Sequence, residues 1–147
     1  MKGTLFILFF LTLVPCHRPP VEVVEATARR ILPGRPESPV RMRYEIKIVT
    51  KRSSDILAFD EIYVHGVPED VEIYGWPEQK RVRAFSAGDT LLLRCYSMKS
   101  VTDQRRGTPS LPERFRGREL VIGCSVKKKQ HYIAVERVLH LPDRIDL

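Results

Sequence analysis

The chain's 147 residues suffice for one folded domain and a short appended segment, which excludes an architecture of several large domains. Apolar residues make up 43% of the chain and charged residues 29%, a balance that excludes disorder over the whole length. The formal net charge is +7, from 25 Lys and Arg against 18 Asp and Glu, which is compatible with attraction to anionic lipid, polysaccharide or nucleic acid and also with simple solubility.

The N-terminus has the pattern of a secretory signal. Lys2 gives it a positive charge, and an apolar run over residues 5–14 follows before Pro15 and Cys16. A run of this length forms about 15 Å of helix, half of the roughly 30 Å that a permanent membrane span requires. The sequence therefore predicts export, with residues 1–16 as the signal peptide.

Cys16 closes the signal in a way that indicates lipid attachment. The order Leu13, Val14, Pro15, Cys16 resembles the lipobox of bacterial lipoproteins, although Pro15 stands where Gly, Ala or Ser is usual. The whole plan resembles small exported bacterial lipoproteins. This resemblance implies acylation of Cys16 and a periplasmic or outer-membrane-associated location, and it implies no activity. Cleavage nearby and soluble secretion is the alternative.

Residues 17–39 are predicted to form a tether between the membrane and the domain. Five prolines and Gly34 fall in this range. Proline at this density disfavours helix interiors and central strands, and Pro-rich chain is semi-extended. We therefore expect the folded domain to begin near Val40 and to span residues 40–147.

From Val40 onward, apolar and polar residues alternate with the period of two that is typical of half-buried strands. The alternation is clearest over residues 119–126 and 131–141, which are predicted to form a hairpin. We predict an all-β domain, an antiparallel β-sandwich of the immunoglobulin-like type with about seven strands. An OB-like barrel is the alternative.

Residues 99–118 interrupt the alternation with a basic loop rich in Gly and Pro. Loops of this length are uncommon in compact domains unless they are functional or disordered. One interpretation is an anion-binding arm, because arginine forks fit phosphate, sulfate and carboxylate. The other, which we favour, is a solvated insertion. The arginines of the first interpretation are Arg105, Arg106, Arg114, Arg116 and Arg118.

Two aromatic residues and two cysteines are further candidates. Tyr74 and Trp76 are possible contacts for a sugar or a peptide, although such residues more often cap the edge of a core. Cys95 and Cys124 both fall on predicted inward faces. In an oxidising compartment they would form a disulfide worth roughly 3–4 kcal/mol, and otherwise they would be two buried thiols. The sequence leaves both outcomes open.

No catalytic, metal-binding or cofactor-binding motif is found in the sequence. The four histidines, at residues 17, 65, 131 and 140, lack metal-ligand spacing. A Gly-x-Ser-x-Gly elbow is absent, and the glycines stand singly, not in a phosphate-binding loop. We therefore predict no catalytic residues, no metal and no cofactor.

Three functions are compatible with these features. The leading hypothesis is a non-enzymatic, membrane-anchored binding or structural module of the cell envelope. Its N-terminal lipid would hold it to the membrane, and an envelope protein or an anionic polymer would be its partner. The second hypothesis is a basic OB-like protein that binds anions or nucleic acid, although export counts against nucleic acid. The third is an envelope hydrolase whose site is assembled from distant residues.

Overall fold

The structure, a computed structural model, describes residues 18–98 and 111–146. This part of the chain forms nine β-strands and a 3-10 helix of three residues, Glu113–Phe115. It contains no helix that is long and apolar enough to cross a membrane. The strands are β1 (Val21–Pro33), β2 (Arg41–Thr50), β3 (Leu57–Val64), β4 (Val67–Glu69), β5 (Glu72–Gly75), β6 (Thr90–Met98), β7 (Leu120–Val126), β8 (Lys129–Val135) and β9 (Leu139–Asp146).

The strands form two sheets. Five strands in the order β5-β6-β2-β1-β9 make one sheet, and four strands in the order β4-β3-β7-β8 make the other. All neighbouring strands are antiparallel except β1 and β9, which run parallel. The predicted antiparallel β-sandwich is confirmed, with nine strands, and the described residues form no closed barrel.

The predicted tether at residues 17–39 is wrong over most of its length. Val21–Pro33 forms the longest strand, which pairs with β2 and, over its second half, with β9. The prolines lie before this strand, at its end or beyond it, where they do not interrupt a ladder. Four side chains of this strand are buried, Val21, Ala26, Ala28 and Ile31, and the two alanines in its middle are too small to mark a clear alternation. The domain boundary predicted near Val40 is therefore also wrong, because the fold includes β1.

The inward faces of the two sheets form one apolar core. Its most deeply buried side chains alternate along β2, β6 and β7, as a period of two requires, and include Ile46, Ile48, Leu91, Leu93, Leu120 and Ile122. Full burial of each such side chain stabilises the fold by roughly 1.5–3 kcal/mol. Because successive residues of a strand point to opposite faces, this core determines which side chains of the five-stranded sheet face outward.

Residues 111–118, the second part of the predicted basic loop, pack against the outer face of the four-stranded sheet. Leu111 is buried in a cluster with Tyr63 and Val121, and Phe115 of the 3-10 helix packs against the same cluster. This part of the loop is therefore a packed segment, and the interpretation of a solvated insertion is wrong for it.

Candidate binding surface on the five-stranded sheet

The outer face of the five-stranded sheet carries aromatic and basic side chains where β5, β6 and β2 lie side by side. The strand register sets Tyr74, Leu92 and Lys47 in one row across these three strands. Trp76 follows directly after β5, and Tyr96 lies farther along β6. We call this surface the aromatic–basic face; its members are Arg41, Arg43, Glu45, Lys47, Glu72, Tyr74, Trp76, Leu92, Arg94 and Tyr96.

Two aromatic rings of the face are each covered by a long basic side chain. Lys47 Nζ lies 4.1 Å from the centroid of the Trp76 ring, and Arg41 Cζ lies 5.6 Å from the centroid of the Tyr96 ring. Such contacts contribute roughly 0.5–1 kcal/mol at exposed sites. Within the described residues neither cation forms an ion pair with a carboxylate. Both charges can therefore meet an anionic ligand.

Trp76 is the chain's single tryptophan and, at 39% exposure, the most exposed ring of the face. Backbone hydrogen bonds hold it in place: Trp76 N–H donates to Thr90 O at 3.1 Å, and Gly75 N–H donates to Lys80 O at 2.8 Å. The peptide bond between Trp76 and Pro77 is cis. A large flat ring that is held at the sheet edge and open to water can stack on a sugar or a base.

Tyr74 and Arg94 belong to a half-buried hydrogen-bonded network in the middle of the face. Arg94 Cζ lies 4.4 Å from the Tyr74 ring centroid, and Arg94 Nε donates to Glu45 Oε1 at 2.8 Å. The Tyr74 hydroxyl donates to Glu72 Oε2 at 2.9 Å. Burial is the largest single influence and would lower the pKa of Arg94, but the hydrogen bond to Glu45 and the negative charge of Glu45 together outweigh it, and the pKa is raised. Burial, followed by the hydrogen bond to Glu72, raises the pKa of Tyr74, so both groups stay protonated at neutral pH.

The face combines an excess of positive charge with an apolar floor. Its four basic residues outnumber its two carboxylates, Glu45 and Glu72, and both carboxylates already accept hydrogen bonds from the network. Leu92 faces outward but is only 5% exposed. Flat rings, an apolar floor and cations without carboxylate partners fit a ligand that has both flat faces and negative charge.

The structure unites some of the residues that the sequence singled out and separates others. Tyr74 and Trp76 lie together on the aromatic–basic face. The exposed Arg114, Arg116 and Arg118 belong to the segment that packs on the opposite sheet, so they do not join the two rings. Three of the other predicted residues, Cys16, Arg105 and Arg106, lie outside the described part of the chain.

Sequence reasoning missed Lys47, Arg94 and Tyr96 as members of this surface. The alternation along β2 and β6 does assign them to outward faces, and that signal was present. The alternation does not say that Lys47 lies opposite Leu92 and beside the Trp76 ring, because that requires the register between three strands that are distant in sequence.

Cysteine is the most nucleophilic type of side chain in the domain, but the fold suppresses the reactivity of both described cysteines. Cys95 in β6 and Cys124 in β7 come from opposite sheets and are free, buried thiols of one core. Burial, followed by Glu69 for Cys95 and Asp60 for Cys124, raises each thiol pKa to about 12. Neither is a thiolate at neutral pH, and the disulfide between them stays a prediction.

Known proteins offer no guide to the role of the aromatic–basic face. No protein-family model, no curated protein and no solved structure matches this chain. Within residues 18–98 and 111–146, no group of three or more His, Cys, Asp or Glu side chains is arranged to hold a metal ion.

Proposed function

We propose that the protein is an exported binding module of the bacterial cell envelope, anchored to the membrane through Cys16, and that it binds an anionic polymer on the aromatic–basic face. The observation that carries the binding role is the exposed Trp76 ring beside Lys47, a cation without a carboxylate partner among the described residues. The secretory pattern of residues 1–16 supports the location. The proposal includes no catalytic step.

An acidic polysaccharide matches this pair of side chains. A sugar ring offers an apolar face that stacks on an indole, and its carboxylate or phosphate would meet Lys47 Nζ. Lysine has a flexible stem, so the ammonium can move aside for the sugar and keep its charge next to it. Arg94 is held by Glu45 and keeps the floor of the surface in place.

Trp76 reports binding directly because it is the only tryptophan. We expect the fluorescence of the full chain to change on titration with heparin, used as an acidic polysaccharide probe, and to stay constant with neutral dextran. Lys47→Gln should weaken the apparent affinity at least about tenfold, since a hydrogen bond to a charged group is worth roughly 1.5–3 kcal/mol.

The matched control is Arg137→Gln, which removes one exposed positive charge from the connection between β8 and β9. It should bind heparin almost as the unmodified chain does. An equal loss of affinity in both variants would show that heparin responds to overall charge and would remove the aromatic–basic face as its site.

The same face supports single-stranded nucleic acid as a second candidate ligand. Aromatic rings beside cations also form the usual platform for stacked bases. The export signal counts against this ligand. An oligonucleotide that binds more tightly than heparin in the same assay, with an affinity that falls steeply with salt, would favour nucleic acid over polysaccharide.

The anchor has its own test, which is the intact mass of the protein from its native membrane fraction beside a Cys16→Ala variant. We expect a mature chain that begins at Cys16 and carries acyl mass. Acyl chains bind membranes because each buried methylene contributes roughly 0.8 kcal/mol. An unacylated chain would show that Pro15 prevents processing and would remove the anchor from the proposal.

A further inference from the structure

A second charged surface lies at the end of the sandwich where the described chain begins. Five exposed basic residues from three segments meet there, and we call them the basic end: Arg18, Arg52, Lys127, Lys128 and Lys129. Arg18 precedes β1, Arg52 lies between β2 and β3, and the lysines lie at the turn between β7 and β8. Arg18, Arg52, Lys127 and Lys129 line a common depression of about 500 Å³.

Backbone hydrogen bonds hold the three segments together. Lys51 N–H donates to Pro20 O at 2.8 Å, which joins the start of β1 to the loop after β2. Lys127 N–H donates to Ile56 O at 2.8 Å, which joins the same loop to the turn after β7. The positive charges of the basic end are therefore presented by a rigid part of the fold and not by independent loops.

The turn between β7 and β8 contains lysines at positions where other residue types adopt the required backbone conformation more easily. Val126 pairs with Lys129, so Lys127 and Lys128 form a two-residue hairpin turn with φ of 50° and 66°. Such turns favour Asn and Gly, because a Cβ is disfavoured at positive φ. Two adjacent lysines in this conformation indicate that their charge, and not ease of folding, accounts for their presence.

The acidic residues near this end are already engaged. Glu22 pairs with Lys51 Nζ at 2.9 Å, Asp55 accepts a hydrogen bond from Ser53, and Asp89 accepts one from the Ser86 backbone. Within residues 18–98 and 111–146, the five cations of the basic end have no ion-pair partner. They form a cluster of positive charge, which attracts anions over about one Debye length, roughly 8 Å at physiological salt.

The basic end also lies next to the segment predicted to enter the membrane. Arg18 is two residues from Cys16, so an extended chain separates them by at most about 7 Å. The structure places β1 directly after this point, so no long spacer lifts the domain away. An anchor at Cys16 would hold the basic end within reach of lipid headgroups.

We propose that the basic end docks on anionic phospholipid headgroups and sets the domain upright on the membrane. This inference rests on the proposed anchor. The strands run away from the basic end, so Arg41 and Tyr96, at the far end of the aromatic–basic face, would stand clear of the bilayer. Trp76 donates its backbone N–H to Thr90 O at the end of the sheet where β1 begins, so it would lie nearer the membrane surface. Each basic residue near an anionic membrane surface contributes about fivefold to binding.

The test uses the full chain with Cys16→Ala, which removes lipidation, and vesicles of phosphatidylcholine with and without phosphatidylglycerol. The ratio of binding to the two vesicles cancels the contribution of the apolar N-terminal run. We expect a ratio well above one, and a fall of at least about tenfold when three cations of the basic end are neutralised. The three changes are Arg52→Gln, Lys127→Gln and Lys129→Gln.

Two further variants keep the test decisive. The matched control neutralises three exposed cations at the opposite end of the sandwich, Arg35→Gln, Arg118→Gln and Arg137→Gln, and should keep most of the preference. Lys127→Asn with Lys128→Gly suits the turn better, so it should raise the midpoint of thermal unfolding while lowering the preference for phosphatidylglycerol.

Three outcomes would overturn the proposal. The first is no preference for phosphatidylglycerol vesicles in the chain that carries only Cys16→Ala, and the second is an equal loss of that preference in both triple variants. The third is a triple variant of the basic end that loses heparin binding and keeps vesicle binding. The Lys47→Gln variant should keep the full vesicle preference. The experiments therefore distinguish a failure of the proposal for the aromatic–basic face from a failure of the proposal for the basic end. The absence of lipid on Cys16 would be seen separately in the intact mass.

Discussion

The two outer faces of the sandwich differ in what covers them. On the four-stranded sheet, Leu111 and Phe115 of the chain itself lie over Tyr63 and Val121, and Tyr63 is only 3% exposed. On the five-stranded sheet, the rings are covered only by basic side chains, and Trp76 stays 39% exposed to water. The chain thus closes one aromatic surface with its own residues and leaves the other accessible to a ligand.

The closed face is packed down to the backbone. A Cβ added at Gly123 would lie 3.2 Å from Tyr63 Cε2 and 3.3 Å from Glu61 O, so the tyrosine ring rests directly on β7. The Tyr63 and Tyr132 rings meet edge to face, with centroids 6.0 Å apart. Such contacts stabilise the fold, whereas a cation over an exposed ring contributes little stability and can be exchanged for a ligand.

The largest expected contrast is between tyrosines on the two faces. Tyr63→Ala removes a buried ring from the closed face and should lower the free energy of unfolding by about 3–5 kcal/mol. Tyr96→Ala removes a half-buried ring from the open face and should cost about 1 kcal/mol or less. Urea denaturation of both variants measures the difference. An equal loss of free energy of unfolding in both variants would mean that the two faces are packed equally tightly.

The two cysteine thiols in the core should make the protein less stable at alkaline pH. Cysteine titrates near pH 8.5 in an unfolded chain, but both buried thiols have a pKa of about 12. The folded state holds these protons more tightly, so their stabilisation is complete below about pH 8.5 and is lost as the pH rises towards 12. Between pH 8 and pH 10 we expect a loss of about 2 kcal/mol for each reduced thiol.

Urea denaturation under reducing conditions at the two pH values measures this loss. The double variant Cys95→Ala, Cys124→Ala should keep only the weaker dependence from tyrosines, because burial raises the pKa of Tyr44 to about 12 and also raises those of Tyr63 and Tyr74. The same dependence in the double variant and in the unmodified chain would show that the thiols do not cause it.

The smallest expected effect concerns the network of the open face. Glu45→Gln leaves the half-buried Arg94 with a neutral acceptor and should lower the free energy of unfolding by about 1 kcal/mol, because partial exposure to solvent weakens the interaction. Glu25→Gln, at an exposed position of β1, should change it by less than about 0.5 kcal/mol. A similar small change in both variants would mean that Arg94 is not held in place by Glu45.

The sequence predicted the sheets better than it predicted where they begin. Apolar side chains such as Ile46 and Ile48 alternate plainly with charged ones, so the all-β class followed from β2 and from the hairpin of β7 and β8. The strand β1 was missed because flanking prolines mimic a linker and because alanine gives a weak apolar signal. Its partner β9 is distant in sequence, and no local pattern reveals a parallel pairing of that kind.

The candidate surface was predictable only in part. Exposed aromatic residues suggested Tyr74 and Trp76, and both do lie on one face. The loop arginines were a separate candidate because they are close together along the chain, whereas Leu111 and Phe115 draw residues 111–118 to the other sheet. Burial of apolar side chains, and not the charge beside them, decided where the segment lies.

The most direct test of the central claim is hydroxyl-radical footprinting of the protein in its native membrane fraction and after purification. If the aromatic–basic face binds an envelope component, Trp76 and Tyr96 should be oxidised several times more slowly in the membrane fraction than in the purified protein. Tyr132 and Phe115 on the closed side should react equally in both. Unchanged oxidation of Trp76 would contradict the account, because it would mean that the open face has no ligand where the protein resides.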